Sequence, residues 1–231
     1  MAIKIPNKQY NVAQPDSMAV RLAVKQRRRM YQLFLTQTKV MPDETILDIG
    51  VTSDQTYASS NYLEAWYPYK RCITAAGLDD AKFLEDLYPG VKFVSADGLN
   101  LPFADKSFDV VHSSAVLEHV GSNNNQRRFI QECCRVARRA AFITTPNRWF
   151  PVEFHTVLPL VHWLPKPIFR TLMRRIGLDF FAEESNLNLM SSREVRTAGQ
   201  VDGFDTDVST VSLGGWPSNL LLLMSRRGSK K

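Results

Sequence analysis

The segment Thr45–Asp54, TILDIGVTSD, constrains the fold of this chain more than any other stretch. Its short apolar run Ile46–Ile49 contains one carboxylate, Asp48, and ends at Gly50. Such a run is typical of a buried strand in a parallel sheet that leads into a tight turn. Open α/β sheets bind ligands at the carboxyl ends of their strands, and a glycine there lets the backbone approach the ligand. The segment therefore predicts a ligand-binding α/β sheet.

Strand and helix patterns alternate along the rest of the chain. Alternation of this kind favours a parallel sheet with helices on both faces. Further strands are predicted at 72–77, 91–96, 108–113 and 140–145. Helices are predicted at 17–38, where Asp16 and Ser17 offer an N-cap, and at 55–66, 81–88, 125–139 and 167–176. A capping box at Ser191–Glu194 predicts one more short helix, which ends at Gly199.

Four segments after the first strand carry a family resemblance. They are ADGLNLPF at 96–103, FDVVHSS at 108–114, AVLEHV at 115–120 and AAFITTPN at 140–147. With TILDIG they make residues 41–226 similar to the class I S-adenosylmethionine-dependent methyltransferases, in the branch called type 11. The resemblance implies a Rossmann-like fold with a mostly parallel seven-stranded sheet, helices on both faces and a C-terminal antiparallel hairpin. That hairpin would be formed by 205–213 and 218–224.

The resemblance also implies a domain organisation and a cofactor. Residues 1–40 would be an N-terminal helical cover, 41–226 the methyltransferase domain with a substrate lid inserted at 145–190, and 227–231 a basic tail. The cofactor would be S-adenosylmethionine, with Asp97 on the adenine amino group and Ser113 and Ser114 beside the methionine part. The implied cofactor-binding residues are Asp48, Gly50, Thr52, Asp54, Gly77, Leu78, Asp97, Gly98, Leu99, Ser113 and Ser114.

The sequence departs from the family pattern at two places. The first motif usually has three spaced glycines, whereas Gly50 is the one glycine in this run. Gly77 stands where the family places a carboxylate on the ribose hydroxyls, so that Asp79 or Asp80 would have to reach back. These departures motivate an alternative function, in which a methyltransferase-like fold transfers no methyl group and binds or regulates a partner.

Three residues are candidates for proton removal or contact with the methyl acceptor. His119 follows the fourth strand, and Glu153 and His155 follow the fifth. A histidine titrates near neutral pH and is a frequent general base. Alternatively, His119 orders the cofactor, and Glu153 and His155 pair to brace the loop. His162 is expected to be packed and hydrogen-bonded. The three cysteines lack metal-ligand spacing, and no metal site is predicted.

Residues 158–175 suggest the nature of the acceptor and of any partner. LPLVHWLP is followed by a helix with apolar and arginine-rich sides, which favours a hydrophobic or lipid-linked small-molecule acceptor and peripheral contact with a membrane. An ordinary amphipathic lid helix is the alternative. The formal net charge of +6 attracts anions, and Arg27–Arg29 could meet phosphate groups. Nucleic acid is not the favoured partner, because aromatic and basic residues do not interleave.

Length and composition fit one domain and a cytoplasmic location. At 231 residues the chain can bury one sizeable core. It has no apolar run of about 18 to 20 residues that would span a bilayer, and its beginning lacks the apolar core of a secretory signal. Cytoplasm, with peripheral attachment to a membrane, is the expected location. Nothing in the sequence indicates an oligomeric state.

Overall fold

The computed structural model describes residues 18–57 and 59–228. Its strands are β1 (Ile46–Ile49), β2 (Ile73–Gly77), β3 (Lys92–Ser95), β4 (Phe108–Ser114), β5 (Ala137–Pro146), β6 (Phe204–Leu213) and β7 (Trp216–Arg226). Its α-helices are α1 (Met18–Thr38), α2 (Tyr62–Trp66), α3 (Phe83–Leu87), α4 (Asn123–Val136), α5 (Lys166–Arg175), α6 (Asp179–Ala182) and α7 (Ser192–Ala198). The predicted N-cap at Asp16 and Ser17 and the last three residues of the tail lie outside the described residues.

The seven strands form one sheet in the order β3-β2-β1-β4-β5-β7-β6. Strands β1 to β5 run parallel, and β7 is antiparallel to both β5 and β6. The predicted Rossmann-like architecture with its closing hairpin is therefore confirmed. Since β1 pairs with β2 on one side and with β4 on the other, the strand order reverses at β1. In open α/β sheets such a reversal opens a crevice at the carboxyl ends of the strands.

Alternation along the strands sends side chains into two apolar cores. On one face, Leu47 and Ile49 pack with α4 and α7. On the other, Ile46 packs with α1 and α2. Because side chains of a strand alternate between faces, Asp48 points to the same face as Ile46. The carboxylate therefore lies between the sheet and α1.

Helix α1 covers the second face through one buried aromatic residue. Phe34 is fully buried, and its ring meets those of His112 and Phe142 edge to face at 5.0 and 5.6 Å. The arginines of this helix also contact the protein itself. Arg28 lies over the Trp66 ring at 4.1 Å, and Arg29 donates to the Ser212 carbonyl at 2.9 Å. The basic run Arg27–Arg29 thus helps to dock the helix.

The helix predicted at 125–139 ends earlier than expected. It stops at Val136, and Arg138 and Arg139 belong to β5. Pairing with β4 draws this stretch into the sheet. Arg139 also bonds Glu44 at 2.6 Å, on the loop that leads to β1. Sheet pairing and this ion pair outweigh the helix preference of the arginines, a tertiary effect that propensity alone does not capture.

After β5 the chain forms an irregular segment, 147–190, which includes α5 and α6 and which we call the lid. It has a small core of its own, made of Phe169, Met173, Phe181, Leu187 and Leu189. Among the described helices, no stretch is both long and apolar enough to cross a bilayer.

Candidate active site

The carboxyl ends of β1 to β4 lie side by side at the edge of the sheet where the strand order predicts a crevice. Ile49 pairs with Ala76 on β2 and with Ser113 on β4, so the turns that follow these strands are neighbours. The Gly50 amide donates to the Ala76 carbonyl at 2.7 Å, and the φ of Gly50 is +95°. Only glycine adopts this backbone conformation without strain. The crevice therefore brings together the strand ends to which the predicted cofactor residues belong.

The turn after β1 is held by its own polar side chains. The Thr52 amide donates to Asn61 Oδ1 at 2.9 Å, and Asn61 Nδ2 donates back to the Thr52 carbonyl at 3.0 Å. Asp54 accepts from the Thr56 amide at 2.9 Å and from the Ser60 hydroxyl at 3.1 Å. The backbone of Thr52 and the carboxylate of Asp54 thus form their hydrogen bonds within the loop.

These bonds also explain why the helix predicted at 55–66 begins later than expected. The helix begins at Tyr62, the first residue of α2. Short polar side chains that bond nearby backbone groups offer the chain an alternative to helical hydrogen bonds. The described part of the loop before α2, residues 51–57 and 59–61, is therefore ordered by side-chain bonds in place of a first helical turn.

Asp48 belongs to a buried polar cluster beneath the crevice. His112 Nδ1 donates to Asp48 at 2.6 Å, and the Tyr62 hydroxyl donates to His112 Nε2 at 2.9 Å. Burial lowers the pKa of His112 to about 4, so the imidazole is neutral at pH 7. Burial raises the pKa of Asp48 to about 7 and that of Glu64, its hydrogen-bonded neighbour, well above 4.5. The Glu64 carboxyl is therefore protonated in the fold, next to Asp48.

Removing the Glu64 carboxyl should stabilise the protein at alkaline pH. Glu64 ionises above about pH 4.5 when the chain is unfolded but stays protonated in the fold, so wild-type stability falls as the pH rises. Glu64→Gln keeps a donor toward Asp48 and has no proton to lose. We expect its free energy of unfolding to exceed that of the wild type by about 1–3 kcal/mol at pH 8 and the gap to shrink toward pH 5.

Urea unfolding at pH 5, 6, 7 and 8 measures this difference. Asp202→Asn, at an exposed carboxylate near β6, is the matched control and should leave the pH trend unchanged. An equal pH trend in Glu64→Gln and wild type would contradict the assigned protonation.

The ends of β2 and β3 leave polar and apolar groups open to solvent. Gly77 is buried, but Leu78, the next residue, is 76% exposed. The Ser53 hydroxyl donates to Asp79 at 3.4 Å, which places this carboxylate beside the turn after β1. Asp97 is exposed at the end of β3, and its Oδ1 accepts from the Leu99 amide at 2.9 Å. The predicted residues Leu78 and Asp97 therefore face the open side of the sheet.

Gly98 and Leu99 follow Asp97 toward the interior. An ideal Cβ on Gly98 would lie 2.6 Å from Phe129 Cε2, so a side chain here would collide with α4. Leu99 is partly buried against the core on this face of the sheet. Both residues thus position the turn that presents Asp97.

The residues at the end of β4 are more buried than those at the end of β3. Ser113 is fully buried, and its hydroxyl donates to the Ile49 carbonyl at 2.9 Å. The Thr144 hydroxyl donates to Ser114 at 3.0 Å. An ideal Cβ on Gly50 would lie only 2.0 Å from Val116 Cγ2, so Val116 packs directly on this glycine. Both predicted serines thus have their hydroxyls hydrogen-bonded within the sheet, and Ser113 pairs with Ile49, the residue before Gly50.

The three predicted catalytic residues meet where the lid covers the end of β4. His119 and His155 stand edge to face with their ring centres 4.8 Å apart. His119 Nδ1 donates to the Asn186 carbonyl at 2.6 Å, and His155 Nδ1 donates to Glu153 at 2.7 Å. In the neutral form of each ring, Nε2 is then the nitrogen that can accept a proton or bind a ligand.

The charges in this cluster depend on its hydrogen bonds. Burial acts to raise the pKa of Glu153, but bonds from His155 and the backbone hold it at about 2. Burial acts to lower the pKa of His155, yet the hydrogen bond and charge of Glu153 raise it above its usual value. Burial lowers the pKa of His119. Glu153 and His155 therefore form the hydrogen-bonded pair that was one alternative from the sequence. The His155 ring also contacts the ring of His119.

Glu118 is a member of this cluster that the sequence analysis did not single out. Its side chain is fully buried, Oε2 accepts from the Thr145 hydroxyl at 2.9 Å, and Oε1 lies 3.9 Å from His119 Nε2. The one feature of the sequence that could have indicated Glu118 is its position directly before His119, on the turn after β4. His162 Nε2, in contrast, donates to the Phe150 carbonyl at 2.8 Å, as expected of a packed histidine.

The lid exposes large apolar side chains to solvent. Ile168 on α5 is 55% exposed, and Val157 on the preceding loop is 56% exposed. The other exposed apolar residues of this surface are Val152, Phe154, Leu160, Leu164 and Ile176. Arg174 and Arg175 lie in the last turn of α5. We call this group of apolar and basic residues the lid surface.

A family model and two groups of known proteins match this chain. The model described as "Methyltransferase domain" matches residues 48–144, which span β1 to β5 and include the crevice. Two probable S-adenosylmethionine-dependent methyltransferases of Mycobacterium tuberculosis, from strains CDC 1551 / Oshkosh and ATCC 25618 / H37Rv, are each 41% identical over 63 residues. That segment covers 26% of this chain and 22% of each relative, so the match spans about a fifth of the curated relatives' length.

Solved structures share the fold at low sequence identity. Magnesium protoporphyrin IX methyltransferase from Synechocystis PCC 6803, solved with bound SAH, has a TM-score of 0.57 and 14% identity, over 95% of this chain and 91% of that one. A SAM-dependent methyltransferase from Methanosarcina mazei has a TM-score of 0.52 and 17% identity, over 83% of this chain and 96% of that one. At such identities the likeness concerns the fold.

Proposed function

We propose that this chain, whose residues 48–144 match a methyltransferase-domain model, is a class I S-adenosylmethionine-dependent methyltransferase that transfers a methyl group from S-adenosylmethionine to a hydrophobic acceptor bound at the lid. The observation that carries the choice of acceptor is the lid surface, where large apolar side chains stay exposed. Contiguous exposed apolar residues rimmed by polar ones mark binding sites for apolar ligands or membranes.

The open groups at the ends of β2 and β3 suit the adenosine part of the cofactor. Leu78 offers an exposed apolar surface for the adenine ring. Asp97 Oδ1 is engaged by the Leu99 amide, and among the described residues no hydrogen bond to Oδ2 is found. A carboxylate oxygen of this kind can accept from the adenine amino group. Asp79 is the carboxylate best placed to serve the ribose hydroxyls in place of the acidic residue that Gly77 replaces.

The residues of the chain align the reactants and exclude water. When bound, the cofactor supplies a methyl group that its positive sulfur already activates. Alignment is therefore the main work left for the protein. Gly50 and Ser114 border the place for the methionine part, and the lid closes the side where the acceptor would enter. His155, held through Nδ1 by Glu153, would take a proton at Nε2 from an acidic acceptor atom.

A second function is favoured by Val116. Its side chain packs directly on Gly50, at the place where the family brings the backbone close to the cofactor. If Val116 does not move, the methionine end of the cofactor is excluded, and the fold serves as a binding partner without methyl transfer. Cofactor titration distinguishes the two functions, because only the first requires occupancy of the crevice.

The acceptor proposal predicts a dependence on chain length. Each additional buried methylene contributes about 0.8 kcal/mol, or about fourfold in affinity. We therefore expect kcat/KM for methyl transfer to rise up to about fourfold per methylene in matched series of alkyl phenols, alkylamines and fatty acids, until the lid surface is filled. The nucleophile that reacts also identifies the methylated atom.

Substitutions in the lid surface provide the control for this series. Val157→Ser with Ile168→Ser should flatten the dependence on chain length. Leu87→Ser replaces an equally exposed apolar residue on α3, away from the lid, and should not change it. A kcat/KM that is independent of chain length in the wild type would contradict the hydrophobic acceptor.

Contact with a membrane is part of the same proposal. The apolar residues of the lid surface, with Arg174 and Arg175 beside them, have the composition of an interfacial site on anionic lipid. Sedimentation with vesicles that contain a minority of anionic lipid tests it. Binding that Val157→Ser with Ile168→Ser removes supports membrane contact, and equal sedimentation of that variant and the wild type argues against it.

A further inference from the structure

The cluster of Glu118, His119 and His155 has the geometry of a metal site. We propose that these three side chains bind a divalent transition-metal cation of the Zn²⁺ class between the sheet and the lid. One ligand atom from each, a carboxylate oxygen or an imidazole nitrogen, lies within 4.8 Å of the other two. Spacing along the chain gives no sign of this site, because His155 is far from Glu118 and His119 in sequence.

Each of the three ligands is oriented by a second contact. Asn186 accepts from His119 Nδ1, and Glu153 accepts from His155 Nδ1, so Nε2 of each ring is left for a metal. The Thr145 hydroxyl donates to Glu118 Oε2, so Oε1 is left in the same way. Metal-binding histidines almost always donate their other nitrogen to a carboxylate or a carbonyl, and such partners fix the ring orientation.

Glu118 Oε1 is the observation that points most directly to a ligand. The Glu118 side chain is fully buried, and Oε1 has no hydrogen-bond partner among the described residues. His119 Nε2 lies 3.9 Å from it. Buried carboxylate oxygens without a partner are rare, because desolvation without a hydrogen bond is costly. A cation bound to Oε1 would satisfy it.

The ligand types indicate which cation the site would take. Two imidazoles and one carboxylate suit Zn²⁺ or a neighbouring transition metal, whereas Ca²⁺ and Mg²⁺ prefer oxygen ligands. Tetrahedral zinc with bonds of about 2.0–2.2 Å keeps its ligands roughly 3.3 Å apart, so binding would draw the three groups together by about an ångström. Three protein ligands leave a fourth position for water or an acceptor atom.

The position of the site gives the ion a role in holding the lid. Glu118 and His119 lie on the turn after β4, which is part of the sheet, whereas His155 belongs to the lid. The bound ion would therefore link the lid to the sheet. With the ion bound, His155 Nε2 is a ligand and cannot accept a proton, so metal binding and the proton transfer proposed above exclude each other. The readout of metal binding is independent of methyl transfer.

Zinc titration of the full chain tests this proposal. The protein is freed of metal with a chelator and titrated with Zn²⁺ against a chromogenic competitor, in a Cys72→Ser background because Cys72 is a half-buried thiol. We expect one ion per chain at a micromolar or lower Kd. His155→Gln and His119→Ala should each weaken zinc binding at least about 100-fold. Thr145→Val should have a smaller effect, a loss of about tenfold or more, because Thr145 only orients Glu118.

His162→Gln provides the matched control, because it replaces a buried histidine that bonds the Phe150 carbonyl outside the cluster. It should leave the zinc affinity unchanged. Zinc should also slow hydrogen exchange in residues 151–160 of the parent protein and not of His155→Gln, whose fold is checked by circular dichroism. Failure to bind zinc, or equal binding by His155→Gln and by the parent, would overturn the proposal.

Discussion

Asp97→Asn is expected to weaken binding of S-adenosylmethionine about 5- to 150-fold without changing the fold. The asparagine oxygen can still accept from the Leu99 amide, as Asp97 Oδ1 does at 2.9 Å, so the turn after β3 is kept. The amide nitrogen that replaces Oδ2 is a donor and cannot accept from the adenine amino group. An unmade hydrogen bond at such a site costs about 1–3 kcal/mol, and 1.4 kcal/mol is a factor of ten in Kd.

Calorimetric titration of both proteins measures this effect, with the melting temperature as the check on folding. Asp86→Asn, at an exposed carboxylate on α3, is the matched control and should bind as the wild type does. Equal affinity of Asp97→Asn and the wild type would mean that Asp97 only forms the turn after β3.

Gly50→Ala should give the largest loss of stability of any single methyl group added at the crevice. The residue has a φ of +95°, a conformation that costs an alanine about 1–2 kcal/mol or more. Its Cβ would also lie 2.0 Å from Val116 Cγ2. Overpacking of this kind typically costs about 1–3 kcal/mol. We expect a total loss of about 3 kcal/mol in the free energy of unfolding, measured by urea denaturation.

A double-mutant cycle separates the two causes. Val116→Ala alone should cost about 1 kcal/mol or slightly more, because it removes two methyl groups from a partly buried side chain. With Gly50→Ala it removes the clash but not the backbone strain. The double variant should therefore be more stable than the sum of the single losses predicts, by about 1 kcal/mol or more. Strict additivity would contradict direct packing of Val116 on Gly50.

The sheet could be predicted because its signals are local. Ile46–Ile49 and Phe108–Ser114 are apolar runs of strand length that end in turn residues, and their order along the chain implies a parallel sheet. The capping box at Ser191 was predicted in the same way and is present in full, since both of its hydrogen bonds form within four residues. Such features need no knowledge of the rest of the fold.

The direction of Asp48 could not be predicted from its own segment. The family resemblance placed it with the cofactor, whereas its carboxylate bonds His112 on the face covered by α1. That contact joins residues 64 positions apart, and it depends on which helix covers which face. Period-two alternation indicates the face once the cover is known, because Asp48 shares it with Ile46.

The loop before α2 and the cluster of Glu118, His119 and His155 could not be predicted, for similar reasons. Asn61 and Thr52 exchange two hydrogen bonds across nine residues, and these bonds replace the first turn of the expected helix. Glu118 and His155 are neighbours only because the lid folds back over β4. Helix propensity and motif spacing describe short stretches, so they do not predict contacts between residues that are far apart along the chain.

Calorimetric titration of the wild-type chain with S-adenosylmethionine and with S-adenosylhomocysteine tests the central claim most directly. The crevice at the ends of β1 to β4 should bind one equivalent of either ligand with a micromolar Kd. Absence of binding at about millimolar ligand, by a chain that melts cooperatively, would contradict the claim. It would mean that Val116 closes the crevice and that the fold serves as a binding partner.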